Sequence, residues 1–324
     1  MAFDDVVYVT DFESTEHLTD GDEVNFEVLG VSEIMIVDSF FITNDYKKKK
    51  VFNILSYPDF CDLNTYIFKG NGHNELSRLC PLTESQVYKN EKNESIITLQ
   101  TERNVYEVNI NQSVAEQKVN LKEIKEKSLN LVFYDVKIND NTYFIKEFAE
   151  NEKNQQIRRL EIDGKDTIPS HFNQLNIAGI DKDKDFNHLA TLLVYNKHND
   201  KIVETSVFLN NINVYNIDGS FCRTICLGEK LDDYTVKQNS RIEVLNPYMK
   251  CYDDFFCMLV KDNEQSDDEF EINKILVFDY ECNPITQITF NKLITKFEFD
   301  IKNKLLYAFN RDDEYLFKYS LSFL

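Results

Sequence analysis

The sequence predicts an all-β protein: a single six-bladed β-propeller domain spanning residues 1–324, with four-stranded antiparallel blades. The main observation is a strand-rich unit of about 50 residues that recurs six times, a repeat length typical of propeller blades. Each unit opens on a short apolar run and continues with a more polar pair of strands around a turn. The six apolar runs are Ile34–Val37, Ile96–Leu99, Tyr143–Ile145, Leu192–Tyr195, Phe255–Val260 and Leu305–Phe309.

The apolar runs predict the inner strands of the blades. An inner strand is buried on both faces, so it reads as a continuous apolar segment without alternation. Ile34–Val37, Leu192–Tyr195 and Phe255–Val260 fit this pattern. Ile212–Ile217 alternates with polar residues, as expected for an outer strand that faces solvent on one side.

Turn chemistry and helical periodicity support the same interpretation. Asp163-Gly164 and Asp218-Gly219 each stand between strand-like segments, and Asp-Gly is a strong β-hairpin signal. Only Leu121–Leu129 has a spacing that predicts one or two helical turns. The last repeat ends after three strands, so we expect the N-terminal strand, Val6–Val9, to complete the last blade and remove a free edge.

Composition excludes several kinds of partner. The chain carries 36 basic and 56 acidic residues, a formal charge of −20. Such a surface repels phosphate backbones and anionic lipids, so we expect neither nucleic-acid nor membrane-surface binding. The acidity also has a simpler interpretation, which is solubility for a large β-protein. No apolar stretch of the sequence is long enough to span a membrane. We also expect the protein to be a monomer.

Cysteine usage predicts free thiols. The seven cysteines include no C-x-x-C pair, and Cys222 and Cys226 lie too far apart along one strand for a disulfide. The start, Met-Ala-Phe-Asp-Asp, shows no signal peptide. We expect either a cytoplasmic protein or a chain that starts after a removed export signal.

Three segments resemble the TolB-like family of six-bladed propellers, which are bacterial lipoproteins and exported proteins of mostly unknown function. The first is Ile34–Ile42, an apolar–Asp–Ser–apolar strand pair, and the second is the loop Phe68–Leu76. The family has a Gly-x-Gly-Pro-Gly-Glu loop here, whereas this chain keeps Gly70, Gly72 and Glu75 and has His73 and Asn74 in place of the Pro and Gly. The closing segment Leu305–Tyr319 also resembles the last blade of the family. The resemblance implies a periplasmic or cell-surface location.

The candidate ligand-binding residues lie on loops that we expect at one face of the ring, near its axis: Gly70, Gly72, His73, Glu75, Arg103 and Arg311. The glycines permit close backbone approach, and the arginines suit a carboxylate or sulfate group. These residues can also have a purely structural role and bind no ligand. Glu75 can satisfy N–H groups of a tight turn, and the arginines can neutralise Glu102 and Asp312.

No motif for catalysis, a metal or another cofactor emerges. The five histidines show no paired metal-ligand spacing, and the sequence contains no nucleophile elbow, phosphate-binding loop or dinucleotide fingerprint. Asp181–Asp185 has the alternating carboxylates of a calcium loop, but Phe186 and Leu192 stand where such a loop needs Gly and Glu.

We therefore expect a non-enzymatic binding or interaction module for a protein, peptide or glycan, with no cofactor. The alternative is a calcium-dependent hydrolase or lyase of the six-bladed lactonase type. Its calcium ion would be held in the central channel by inward carboxylates and amides. Propellers host both classes, so the fold does not decide between them.

Overall fold

The computed structural model describes residues 1–25, 30–45, 49–72, 74–127, 131–150, 152–237, 248–262 and 272–324. Its strands form six sheets of four or five mostly antiparallel strands. The protein is a six-bladed β-propeller, which confirms the predicted fold class. The chain divides into two compact units: unit 1 is Met1–His17 with Ser128–Thr289, and unit 2 is Leu18–Lys127 with Phe290–Leu324.

The strands follow the chain blade by blade. The N-terminal segment holds β1 (Val6–Val9), β2 (Thr15–Leu18) and β3 (Asp22–Glu23). Blade 1 contains β4 (Glu33–Val37), β5 (Phe40–Asn44), β6 (Lys50–Ser56), β7 (Asp62–Lys69) and β8 (Glu75–Leu76). Blade 2 contains β9 (Val87–Lys89), β10 (Ser95–Gln100), β11 (Asn104–Asn109) and β12 (Lys122–Glu126). Both blades belong to unit 2.

Blades 3, 4 and 5 belong to unit 1. Blade 3 contains β13 (Val132–Asn139), β14 (Thr142–Glu150), β15 (Asn154–Ile162), β16 (Lys165–Thr167) and β17 (Gly179–Ile180). Blade 4 contains β18 (Thr191–Asn196), β19 (Lys201–Ser206), β20 (Asn211–Asn216) and β21 (Cys222–Leu227). Blade 5 contains β22 (Tyr248–Cys251), β23 (Phe255–Asp262), β24 (Ile272–Asp279) and β25 (Pro284–Phe290).

Blade 6 belongs to unit 2 and contains β26 (Lys296–Asp300), β27 (Leu305–Asn310) and β28 (Tyr315–Ser320). The helices of the described residues are short. They are α1 (Ile110–Glu116), α2 (Asn173–Asn176), α3 (Tyr234–Lys237) and the 3₁₀ helices Leu82–Glu84, Ser170–Phe172 and Phe186–Leu189.

The apolar runs of the sequence fall on two different strand positions. Ile34–Val37 and Leu192–Tyr195 belong to the first strands β4 and β18, but the other four runs belong to the second strands β10, β14, β23 and β27. Phe255–Val260 is buried over its first five residues, as expected for an inner strand, although β22 precedes it in the same sheet and makes it the second strand of blade 5. Second strands are buried as deeply as first ones, and β19 is buried at every position. An apolar run therefore marks either strand.

The N-terminal segment completes the last blade, but with a different strand from the one expected. β3 pairs antiparallel with β28, through Asp22 and Glu23 opposite Lys318 and Phe317. Val6–Val9 instead pairs parallel with β21 as a fifth strand of blade 4, and β2 extends blade 5 beside β25. The prediction that an N-terminal strand completes the last blade is confirmed, but the strand is β3 and not Val6–Val9. The sequence could not identify the strand, because a short edge strand can pair with any exposed sheet edge within its reach, and Val6–Val9 pairs with the edge of blade 4.

The predicted helix over Leu121–Leu129 is also wrong. Its first residues form β12, the outer strand of blade 2, which hydrogen-bonds to β11. The helix lies earlier, at α1, where the Asn109 side chain accepts a hydrogen bond of 2.9 Å from the Gln112 N–H and so caps its start. Seven residues are too few for periodicity to distinguish a helix from an edge strand, and pairing with the sheet decides.

The Asp163-Gly164 turn forms as predicted. Both residues have positive φ, of 50° and 72°, and Ile162 pairs with Lys165 across a two-residue loop. This is the geometry of a type I′ hairpin turn, which matches the right-handed twist of the flanking strands.

Unit 1 contains a buried ionic network between blades 3 and 4. Glu204 on β19 contacts the Lys146 Nζ at 2.7 Å and the Arg158 Nε and Nη2 at 2.8 and 2.6 Å. The hydroxyls of Tyr215 and Thr191 also donate to its carboxylate, at 3.1 and 2.6 Å. All five residues are buried. The hydrogen bonds and ion pairs among them therefore take the place of water around the charged groups of Glu204, Lys146 and Arg158.

Candidate functional site

Three of the predicted loop residues and Arg103 lie around one depression in unit 2. The depression has a volume of about 280 Å³, and its walls include Gly70, Gly72, Glu75 and Arg103. We call it the Arg103 depression. His73 lies outside the described residues.

The loop that forms one wall is organised by Glu75. The Glu75 Oε2 accepts a hydrogen bond of 2.8 Å from the Gly72 N–H, and a Cβ at Gly70 would lie 1.9 Å from the same oxygen. Asn74 has a φ of 60°, a conformation that Asn tolerates where the resemblance has Gly. The glycines thus make room for the Glu75 carboxylate, which agrees with the structural interpretation of these three residues.

Arg103 occupies the turn between β10 and β11. Its backbone is fixed at both ends, because its N–H donates to Thr101 Oγ1 at 3.3 Å and its carbonyl accepts from the Lys127 N–H at 2.6 Å. Glu102, the acid that Arg103 was expected to neutralise, instead accepts from Arg78 Nη1 at 2.9 Å. Among the described residues, the Arg103 guanidinium has no ion-pair partner. It is exposed and available to an anionic or hydroxyl group.

Arg311 lies on a second, larger cavity of unit 2. This cavity has a volume of about 510 Å³ and shares Ser77 and Arg78 with the Arg103 depression. We call it the Arg78 cavity. Arg311 is exposed, and its Nε lies 3.4 Å from Asp312 Oδ1, so the expected pairing with Asp312 is present but long. The structure therefore places Arg311 in a cavity that adjoins the depression and not in the depression itself.

The Arg78 cavity is lined by more basic than acidic side chains, although Arg78 and Arg311 also pair with Glu102 and Asp312 outside its lining. Four basic side chains line it, and two buried carboxylates, Glu33 and Asp45, lie in its wall. The basic residues are Lys69, Arg78, Lys296 and Arg311. Glu33 is already engaged, because Lys296 Nζ lies 3.4 Å from its Oε1 and the Leu82 N–H donates to its Oε2. A local excess of cations on a chain of charge −20 favours an anionic ligand at this place.

Glu84 belongs to the 3₁₀ helix Leu82–Glu84, which directly follows Pro81 of the cavity lining. Burial raises the pKa of its carboxyl to about 7; Lys127 and Arg78 oppose this shift, and Glu33 adds to it. The carboxyl therefore changes charge near neutral pH, beside two residues of the cavity.

The described part of the chain contains no group of three or more His, Cys, Asp or Glu side chains able to hold a metal ion. The calcium-like segment forms a turn in which Asp181 pairs with Lys153 at 3.3 Å and Asp185 caps the 3₁₀ helix at Phe186. None of the described helices has the length and apolar character that crossing a membrane requires.

Sequence reasoning missed Arg78, Lys69 and Lys296. Arg78 follows the glycine-containing loop by three residues, so its closeness to that loop was a usable signal. Lys296 comes from blade 6 and Lys69 from blade 1. Only the packing of these blades in unit 2 brings their side chains to one cavity.

Comparisons with known proteins extend the fold assignment. No protein-family model matches the chain, and no curated protein does. A solved structure of a DUF4221 family member from Bacteroides vulgatus matches with a TM-score of 0.55 and 10% identity, over 91% of this chain and 94% of that one. A protein of unknown function from Bacteroides thetaiotaomicron matches with a TM-score of 0.49 and 10% identity, over 96% and 75% of the two chains.

A calcium-binding protein, regucalcin, from Agrobacterium tumefaciens matches with a TM-score of 0.47 and 9% identity, over 95% of both chains. The likeness to all three is one of fold. At 10% identity the DUF4221 structure supports the propeller fold alone, and none of the three says what this chain binds.

Proposed function

We propose that the protein is a binding module for a ligand with a carboxylate, sulfate or similar anionic group, which binds in the Arg78 cavity. The observation that carries the proposal is the set of four basic side chains facing two buried carboxylates in one cavity of about 510 Å³. Ligand sites of proteins commonly fall in the range of roughly 300–1,000 Å³. Arginine adds specificity because its planar guanidinium binds carboxylate and sulfate oxygens in pairs.

The proposal extends to family and location. The loop Gly70–Glu75 and the strand pair at Ile34–Ile42 resemble TolB-like propellers, which favours the bacterial envelope as the place where this module meets its ligand. Cell fractionation of the native organism is the direct test. Recovery of the protein in the cytoplasmic fraction alone would contradict the envelope assignment and leave the binding proposal standing.

The binding experiment screens acidic and neutral glycans and peptides by calorimetry, and then tests Arg78→Ala and Arg311→Ala on any hit. We expect a loss of affinity of about tenfold or more for each variant, because each removes a charge-assisted hydrogen bond. Lys92→Ala is the matched control, since Lys92 is an exposed cation of blade 2 that lines neither cavity.

Two results would overturn the proposal. One is a ligand whose affinity ignores both arginine changes, or whose footprint maps to the turns at Asp163-Gly164 and Asp218-Gly219. The other is stoichiometric calcium in protein purified without chelator, together with hydrolase or lyase activity. That result would favour the calcium-dependent enzyme.

A further inference from the structure

We infer that the ligand is an acidic oligosaccharide, which places its acid group in the Arg78 cavity and an adjoining uncharged sugar unit in the Arg103 depression. This inference rests on the proposed function and adds the class of ligand and a second subsite. Three observations carry it: the different charge of the two cavities, the polar lining of the depression, and the shared wall between them.

The two cavities differ in charge balance. The Arg78 cavity has four basic side chains against two carboxylates. In the Arg103 depression two arginines, Arg78 and Arg103, face two carboxylates, Glu75 and Glu102. Glu75 is engaged by the Gly72 N–H and Glu102 by Arg78. The larger cavity therefore favours an anion, and the smaller one favours an uncharged group that forms many hydrogen bonds.

The lining of the depression suits a sugar better than a peptide side chain. Asn71 lines the depression with an exposed amide, and Arg103 adds an exposed guanidinium. Thr101 and Asn104 also line it, although the Thr101 hydroxyl donates to the Asn104 carbonyl and the Asn104 amide donates to Glu123. Tyr106 is the aromatic residue of this wall; it packs partly against the blade 1–blade 2 core and is half-buried. A ring with amphipathic character beside several hydrogen-bonding groups matches a sugar, which has an apolar ring face and hydroxyls around it. Peptide anchors instead require well-packed pockets that desolvate a large side chain.

The shared wall links the two subsites. Ser77 and Arg78 line both cavities, so a ligand that fills one reaches the other without leaving the protein surface. The volumes of about 280 and 510 Å³ allow a single sugar unit in the depression and a larger acidic unit in the cavity. Joining two groups in one ligand makes the second contact intramolecular, which increases affinity without a new kind of interaction.

The test compares four probes by calorimetry: glucuronic acid, a disaccharide of glucuronate linked to a neutral hexose, a neutral disaccharide of the same size, and triglutamate. We expect the acidic disaccharide to bind with the highest affinity, about tenfold higher than that of glucuronic acid. The neutral disaccharide should show no measurable binding. Arg103→Ala and Asn71→Ala should each remove most of the disaccharide advantage and leave glucuronic acid unchanged. Arg311→Ala should weaken both acids, and Lys92→Ala should change nothing. All four positions are exposed, so each variant is expected to fold.

The outcomes separate this inference from the proposed function. If glucuronic acid and its disaccharide bind equally, or if Arg103→Ala has no effect, the second subsite is refuted while anion binding at the Arg78 cavity stands. Tighter binding of triglutamate than of the acidic disaccharide would assign the site to acidic peptides and overturn the glycan inference. If the acidic probes bind and Arg311→Ala leaves their affinity unchanged, or if no acidic probe binds, the proposed function itself fails.

Discussion

At the residue scale, Glu204 is the position where one substitution should matter most. Burial alone would raise the pKa of its carboxyl, but the Arg158 guanidinium and the Lys146 ammonium outweigh that effect and hold it well below its usual range. Burial also lowers the pKa of Lys146 to about 8, although Glu204 opposes the shift. Two buried cations thus depend on one carboxylate.

The first prediction follows from this dependence. Glu204→Gln should lower the free energy of unfolding by about 3–5 kcal/mol, because it leaves Lys146 and Arg158 buried without a counter-charge. Urea denaturation measures the change. The matched control is Glu102→Gln, which breaks an exposed pair with Arg78 and should cost less than about 1 kcal/mol. Equal losses in the two variants would show that the buried network contributes no more than a surface pair.

The second prediction concerns Glu84, whose pKa in the folded protein is about 7 against an ordinary value of 4.5. The folded protein holds this proton more tightly, so its contribution to stability is fully present below about pH 4.5 and is lost as the pH rises through 7. Glu84→Gln removes the titration. At pH 8 the variant should therefore be more stable than the wild type by about 2–3 kcal/mol, and at pH 4.5 the two should be nearly equal.

Thermal unfolding at pH 4.5, 6, 7 and 8 measures this difference. Glu102→Gln, at an exposed carboxylate near the same cavities, serves as the control and should show no such trend. A Glu84→Gln variant that is less stable than the wild type at pH 8 would contradict the partly buried, protonation-sensitive environment of Glu84.

At the element scale, the N-terminal segment holds blade 4 together in a way that the sequence did not reveal. Beyond the parallel pairing of β1 with β21, the Phe3 N–H donates to Thr224 Oγ1 at 2.7 Å and the Thr224 N–H donates to the Asp5 carbonyl at 2.8 Å. The Phe3 ring is 3% exposed and packs edge-on against Tyr215 at 5.5 Å. The segment therefore belongs to the core of unit 1 as well as to its edge.

The third prediction is that deletion of residues 1–12 lowers the melting temperature and promotes aggregation. It removes β1, exposes the β21 edge and empties the space of Phe3, whose loss alone costs roughly 3–5 kcal/mol for a buried aromatic residue. In the full chain, Phe3→Ala should reproduce most of the loss, while Tyr8→Ala, at a position that is 54% exposed, should have little effect. A truncated chain that melts at the wild-type temperature would refute this role.

At the scale of the whole molecule, the cysteines are the informative group. All seven are free thiols in the structure, and Cys61 is the exposed one. Burial raises the pKa of Cys80 to about 11 and that of Cys282 to about 12. Because the thiolate is the reactive form, these two should react slowly in the folded protein.

The fourth prediction is a count of about seven thiols by titration under denaturing, non-reducing conditions, with a single fast-reacting thiol under native conditions. Cys61→Ser should abolish the fast phase and reduce the total by one. A denatured count of one would instead reveal three disulfide bridges and an oxidising compartment.

The fold was predictable because it depends on local features that repeat. A blade needs strands that are buried on both faces and tight turns between them. The apolar runs and the Asp163-Gly164 turn are both visible in the sequence, so they were enough to predict the propeller fold. The apolar runs did not show whether a run forms the first or the second strand of its blade, since both kinds of strand are equally apolar. The short charged segment at Lys122–Glu126 was assigned to a helix for a related reason: an edge strand has no buried face to impose a period on its residues.

The candidate site was predictable only in part. The sequence by itself pointed to Gly70, Gly72, His73, Glu75, Arg103 and Arg311, because a glycine-containing loop and turn arginines are visible as local motifs. The tertiary structure decided that Val6–Val9 joins β21, that Glu102 pairs with Arg78, and that Lys69, Arg78, Lys296 and Arg311 share one cavity. These are contacts between residues far apart along the chain, and hydrophobic periodicity contains no information about which charged side chains packing will bring together.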